Sequence, residues 1–458
     1  MKTTLFYGFI ASLVLGLFLF SSCGDDDEVT PEPQANSNGQ KQGNKVPIAD
    51  EIKTPLTIET TADGIITFVN KASGGVIYRV DDGDPQVIAS NNSGGIFVKA
   101  GQKVSFFGDN ATYAASSLKE DRSNITCTVD FYVYGNIMSL INRNNYANIT
   151  KLTAKNTFVG LFSNNEHLKN SPSRSLVLPA TELAEVCYLS MFYGCTNLTE
   201  APELPATTLK RSCYNSMFYG CKGLTETPNL PATILAESCY SNMFYNCINL
   251  TKSTELPALK LERSCYFGMF QYCMKLVKAP DLPATTLAQN CYYDMFAACT
   301  RLTEAPDLLA TILKDGCYHG MFTSCHNMTK EPIISATELA PGCCANMFDG
   351  CIRLKKAPEL PAIELAEDCY SGMFRGCTSL TKAPDLPATN LKEGCYESMF
   401  LGCKNLIKIR CLATNDDTFG TEAWLYGVSP TGTFIKASGK TWQRGESGIP
   451  EGWQVISE

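Results

Sequence analysis

The chain has 458 residues, 44% of them apolar, with a formal charge of −8. That length allows roughly three average domains and a sizeable core. The acidic balance leaves no basic footprint over the whole chain, so nucleic acid is not an expected partner.

Lys2 precedes an apolar run from Leu5 to Phe20. The run is short for a membrane span and suits the core of a secretory leader. It closes on Phe20-Ser21-Ser22-Cys23, which resembles the lipobox of bacterial lipoproteins, with Phe20 where Leu is usual. The resemblance implies a signal peptide over 1–22 and a lipidated Cys23 that ties the mature chain to a membrane. An ordinary cleaved leader with a chance cysteine is the bland alternative. Gly24-Asp25-Asp26-Asp27-Glu28 opens an acidic, polar stretch read as a flexible linker over 23–50. An acidic run beside the cysteine is similar to that of Bacteroidota lipoproteins exported to the outer face of the outer membrane. The expected location is therefore the outer membrane, facing the cell exterior.

Residues 51–150 change pattern. "LTIET", "IITFV", "VIYRV", "IFVKA" and "KVSFF" are short alternating runs separated by Gly, Asp, Asn and Ser clusters. They predict an antiparallel, β-sandwich-like domain. Cys127 stands alone here, and the domain reads as a spacer more readily than as a ligand binder.

From Cys187 the chain repeats. First cysteines recur every 26 residues from Cys187 and Cys213 to Cys395, and second cysteines from Cys195 and Cys221 to Cys403. Met-Phe recurs in all nine units, as in Met191-Phe192 and Met217-Phe218, and Leu198 is leucine in every unit except for Met328. A fixed period of this size marks a stacked repeat architecture. Leu183, Cys187, Met191 and Cys195 step by four, which predicts a short helical or 3₁₀ stripe. Gly194 and its equivalents suit a left-handed helix end, and Leu198–Ala201 predicts a short strand that Pro202 stops. No unit buries its stripe alone, so nine stacked units over 183–413 share one core.

The preferred reading of the cysteines is compact buried thiols beside tight turns. Disulfides within or between units are the main alternative in an exported chain. Metal binding is poorly supported, although Cys317, His319, Cys325 and His326 cluster in the sixth unit; both histidines occupy slots that look solvent-facing. A catalytic cysteine needs one special environment, and these have nine similar ones.

The "MFxGCxxL" core with an extended piece after it resembles the BspA-like leucine-rich repeat surface proteins, over about Phe158 to Ala413. The resemblance implies a leucine-rich-repeat-like solenoid and adhesion to host or bacterial macromolecules. "LPAT" replaces the Asn- or Ser-rich segment of many relatives, and the first cysteine is unusually regular. A capping repeat is expected over 151–182, where Phe158, Leu161 and Phe162 keep register and Asn165 replaces the cysteine. After Leu406 the pattern dissolves into a C-terminal cap, 414–458, whose Trp424, Trp442 and Trp453 read as cap core ahead of a sugar platform.

Six units carry an acid at one register: Glu203, Glu255, Asp281, Asp307, Glu359 and Asp385. Lysines such as Lys278 and Lys382 sit three residues earlier, so the plain reading is a neutralised, solvated face. The sharper reading is a docking surface for a basic or polyhydroxylated partner. No GxSxG, Walker or HExxH motif is present, which argues against an enzyme, a cofactor or a bound metal. The expected role is a surface lipoprotein whose solenoid binds an extracellular protein or glycan. Glycan capture for a transporter, or a stalk with no specific ligand, are the alternatives.

Overall fold

The computed structural model describes residues 48–415, 419–445 and 448–458. The described residues belong to one compact unit, Gly43–Glu458. The expected leader, Cys23 and nearly all of the acidic linker lie outside the described residues. Among the described residues no helix is long and apolar enough to cross a membrane.

The alternating runs become strands β1 (Leu56–Thr60), β2 (Gly64–Asn70) and β3 (Val76–Val80), followed by β4 (Gln86–Ile88), β5 (Asn92–Val98) and β6 (Lys103–Phe107). Two more, β7 (Asn124–Cys127) and β8 (Phe131–Asn136), lie beyond the stretch whose alternation was legible. Antiparallel β1 lies between β6 and β8, and β2 between β5 and β7. The layers meet where Phe68 faces Phe106, with ring centroids 5.4 Å apart. This fits the expected sandwich only loosely, because β8 also pairs in parallel with β9 (Leu168–Lys169) and β10 (Leu176–Val177).

Those parallel pairs give the β-rich part a second task. The first layer of a stack presents unpaired backbone groups, and burying them bare is costly. Here Ile125 donates its N–H to the Leu161 carbonyl at 2.8 Å, and Phe131 donates to His167 at 3.0 Å. Tyr113 stacks on Phe158, which stacks on Tyr188, so the aromatic core runs unbroken from one part into the other. The expected spacer is thus a cap. Its start is held by fully buried Glu51, whose carboxylate accepts from the Arg174 guanidinium at 2.9 Å, while Arg174 lies 4.5 Å over the Tyr134 ring.

The repeats contain no helix. In the first unit Val186, Ser190 and Gly194 have φ of 61°, 54° and 71°, and the three equivalent slots are left-handed in all nine units. A positive φ every fourth residue is incompatible with an α-helix and typical of the third position of type II turns. The backbone donors alternate accordingly. Met191, Tyr193 and Cys195 donate locally to the carbonyls three residues back, at 3.1–3.2 Å. Tyr188, Ser190, Phe192 and Gly194 donate instead to Cys213, Asn215, Met217 and Tyr219 of the next unit, at 2.7–3.0 Å. Half the donors of each turn ribbon therefore hold the following layer.

The expected strand at Leu198–Ala201 is absent as well. Most units contribute only single parallel bridges, such as Glu226 to Lys252 and Glu304 to Lys330. A sheet appears at the far end, where β11 (Lys382–Leu386), β12 (Lys408–Cys411), β13 (Gly432–Lys436) and β14 (Trp453–Ser457) lie parallel in that order. β11 runs through Pro384, the equivalent of the proline expected to stop it, and its register shifts between Lys382 and Asp385. A proline is tolerated at such an irregularity because no ladder donor is required there. The stack also continues past Leu406: Phe400 donates to the Trp424 carbonyl at 2.9 Å and Gly402 to Tyr426 at 2.8 Å. Ala423 and Gly427 keep the left-handed slots, so the C-terminal cap adds a further turn layer.

Candidate interaction face

Identical residues go inward. Cys187, Met191, Phe192 and Cys195, with Cys213, Met217, Phe218 and Cys221, are fully buried, and Leu198 is nearly so. The phenylalanines form one file from Phe162 to Phe400 with centroids 5.5–5.7 Å apart. A parallel tyrosine file runs from Tyr188 to Tyr318, is interrupted by Cys344, and resumes at Tyr370 to end on Trp424. The hydroxyls of Tyr188, Tyr214, Tyr266 and Tyr370 have no hydrogen-bond partner.

All the described cysteines are free and buried. The two files differ in chemistry. Cys221 points its Sγ at the Phe192 carbonyl of the preceding unit at 3.1 Å, and the same bond recurs from Cys195 to Cys403. A thiol that donates to a buried carbonyl removes part of the cost of leaving that acceptor half-satisfied. In the cap, Asn165 takes over: its amide donates to Phe162 at 3.0 Å and to Ile125 at 2.6 Å. Burial pushes the Cys187 and Cys195 thiols up to about 12, far from nucleophilic at neutral pH.

Variable residues go outward. On the turn ribbon Tyr193, Tyr219 and Tyr245 stack at 4.4–4.6 Å, then Phe267, Tyr293 and His319 at 4.3–4.9 Å in the adjoining slot. His319 is therefore half-buried against Tyr293 rather than solvent-facing, and burial takes its imidazole down to about 4. His326 is exposed, as expected. Asp294, also half-buried, is pushed up to about 7 by burial. Among the described residues no group of three or more His, Cys, Asp or Glu is placed to hold a metal.

Glu203, Glu255, Asp281, Asp307 and Glu359 are exposed, and Asp385 is half-buried between Lys382 and Arg410, each 3.7 Å away. Among the described residues the neutralisation expected of this face falls within one unit for that Lys382–Asp385 pair and between layers elsewhere, as for Lys356 and Glu331 at 2.8 Å. Lys252 pairs instead with Glu226 and Lys330 with Glu304, both at 3.3 Å, one layer apart in the lysines' own file. Layer contacts bring residues 26 positions apart closer than neighbours three apart along an extended chain. Trp424, Trp442 and Trp453 are buried in the cap, leaving no exposed indole platform.

Residues 164–303 match the family model described as the BspA type leucine rich repeat region, in six copies. This segment carries BspA-type repeats. The same left-handed slots continue beyond the matched residues, from Gly316 to Gly402. No curated protein matches the chain.

Proposed function

We propose that this chain is a lipid-anchored protein on the outer face of the outer membrane, whose repeats form a continuous solenoid that adheres to extracellular protein or glycan. The observation that carries the reading is the division of labour within each layer. Cys, Met, Phe and Leu are spent on a shared core, while the exposed or half-buried slots of Leu189, Tyr193 and Asn197 change from unit to unit. Such a scaffold varies its surface without touching its core, as repeat proteins that bind extended partners do. BspA-type repeats are generally associated with surface adhesion or protein interaction, which agrees. We read the chain as a binding protein and not an enzyme.

The test is direct binding of the folded chain to immobilised extracellular-matrix proteins and to a glycan array. Saturable binding is expected; a folded protein that binds neither overturns the adhesion reading. Protease treatment of intact cells is expected to remove the repeats, and Cys23→Ser to abolish lipid labelling.

A further inference from the structure

The lysines and arginines on the loop after the second cysteine are not distributed as the whole-chain charge suggests. The first two units carry Glu200 and Glu226 there, whereas from the fourth unit onward cations dominate. Lys275, Lys278, Arg301, Lys355, Lys404 and Lys408 are exposed and make no ion pair among the described residues. Parallel pairing sets their layers: Lys278 lies beside Glu304, Glu304 beside Lys330, and Lys382 directly opposite Lys408.

At a parallel-strand spacing of about 4.8 Å, five steps from the fourth to the ninth layer span roughly 24 Å. Like charges directly opposite one another are destabilising, and Lys382 facing Lys408 is such a pair. At physiological salt the screening length is about 8 Å, so neighbouring cations act on a ligand together. The acid file of Asp281 and Glu359 runs parallel, three residues further along, or roughly 10 Å of extended chain.

We propose that this band of cations, from Lys275 to Lys408, is a binding ridge for a linear anionic polysaccharide laid along the stack. This deepens the adhesion reading and rests on it. Lys278 and Lys408 share one register, Lys275, Arg301, Lys355 and Lys404 lie one to four residues earlier in their units, and Glu304 stands within the lysine register, so a thin polyanion follows the band on its side away from the acid file. A DNA duplex or an anionic membrane is broad enough to press against the acid file and is disfavoured. Arg301 and Arg353 add planar guanidinium groups, suited to two-point recognition of sulfate or carboxylate oxygens.

The test uses the full mature chain carrying Cys23→Ser, with heparin, polygalacturonate, neutral dextran, duplex DNA and anionic phospholipid vesicles as probes. Binding to one or both anionic glycans is expected, weakening as salt rises. The triple variant Lys355→Glu, Lys404→Glu, Lys408→Glu is expected to lose at least tenfold in affinity and about one unit of salt slope per contact removed, with its unfolding midpoint unchanged. Neutralising the acid file (Glu255→Gln, Asp281→Asn, Asp307→Asn) is expected to leave binding intact or tighten it. Absence of glycan binding, equal binding by the triple variant, or equal binding to DNA or vesicles overturns the ridge. If matrix protein still binds when the anionic glycans do not, only this inference falls; if neither binds, the adhesion reading falls too.

Discussion

The carboxylate of Asp294 lies over the α-carbon of Gly320 in the next layer, where the β-carbon of any other residue would sit. The same relation links Asn242 to Gly268, Asn290 to Gly316, Asn346 to Gly372 and Asp368 to Gly394. Both members of each pair are left-handed, which Asn, Asp and Gly tolerate. The pairing is directional: an Asx side chain leans onto a glycine one layer further on.

Gly320→Ala is therefore expected to be costly twice, through a left-handed alanine, about 1–2 kcal/mol, and through collision with Asp294. Asp294→Gly in the same chain should recover the collision part. Denaturant unfolding of the two single variants and the double variant checks this; strictly additive effects would refute the contact.

Cys299 and Cys291, one from each file, should differ in their response to serine. Cys299 donates to the Phe270 carbonyl at 3.1 Å, so Cys299→Ser keeps a donor and is expected to cost little. Cys291 is buried with no such bond, and Cys291→Ser leaves a hydroxyl to satisfy, at about 1–3 kcal/mol. Urea midpoints of the two variants decide it. Alkylation without reduction should label neither file in the native protein and both after denaturation.

Tyr266→Phe removes a buried hydroxyl that has no partner while keeping the ring in its stack. It is expected to be neutral or stabilising by up to about 1 kcal/mol. A clear loss of stability on thermal unfolding would mean that the hydroxyl is satisfied in solution.

Asp294 and His319 give opposed pH contributions. Folded Asp294 keeps its proton up to about pH 7, whereas unfolded aspartate loses it near 3.8, so its contribution falls as pH rises across that window. Folded His319 stays neutral down to about 4 while the unfolded residue protonates near 6.5, so its contribution falls as pH drops. Between about 4 and 6.5 the two offset each other. Asp294→Asn should stabilise the protein near neutrality and expose a loss on acidification below about 6.5. His319→Tyr, which retains a ring for Tyr293, should show the reverse. Chemical denaturation across that pH range checks both signs.

The repeat period and the inward residues were legible because a 26-residue period repeats every buried position. The local conformation was misread because a four-residue step serves both a helix and a string of type II turns. Ser, Asn, Asp and Gly gathering at the Val186, Ser190 and Gly194 slots was the available signal for turns. Other features have no local signature. The acceptor for Cys221 is 29 residues away, and the lysine partners lie 26 residues away in the adjoining layer. β7 and β8 cap the first layer, so their residues answer to the repeats as well as to their own sheets.

The central claim is that each unit is held by its neighbours, with half its turn donors spent on the next layer. Excising one complete unit, residues 265–290, joins equivalent layers, so the shortened protein should unfold cooperatively with only modestly lower stability. Excising half a unit, residues 265–277, misaligns every later layer and should abolish cooperative unfolding. Equal tolerance of both deletions, measured by urea titration, would contradict the account.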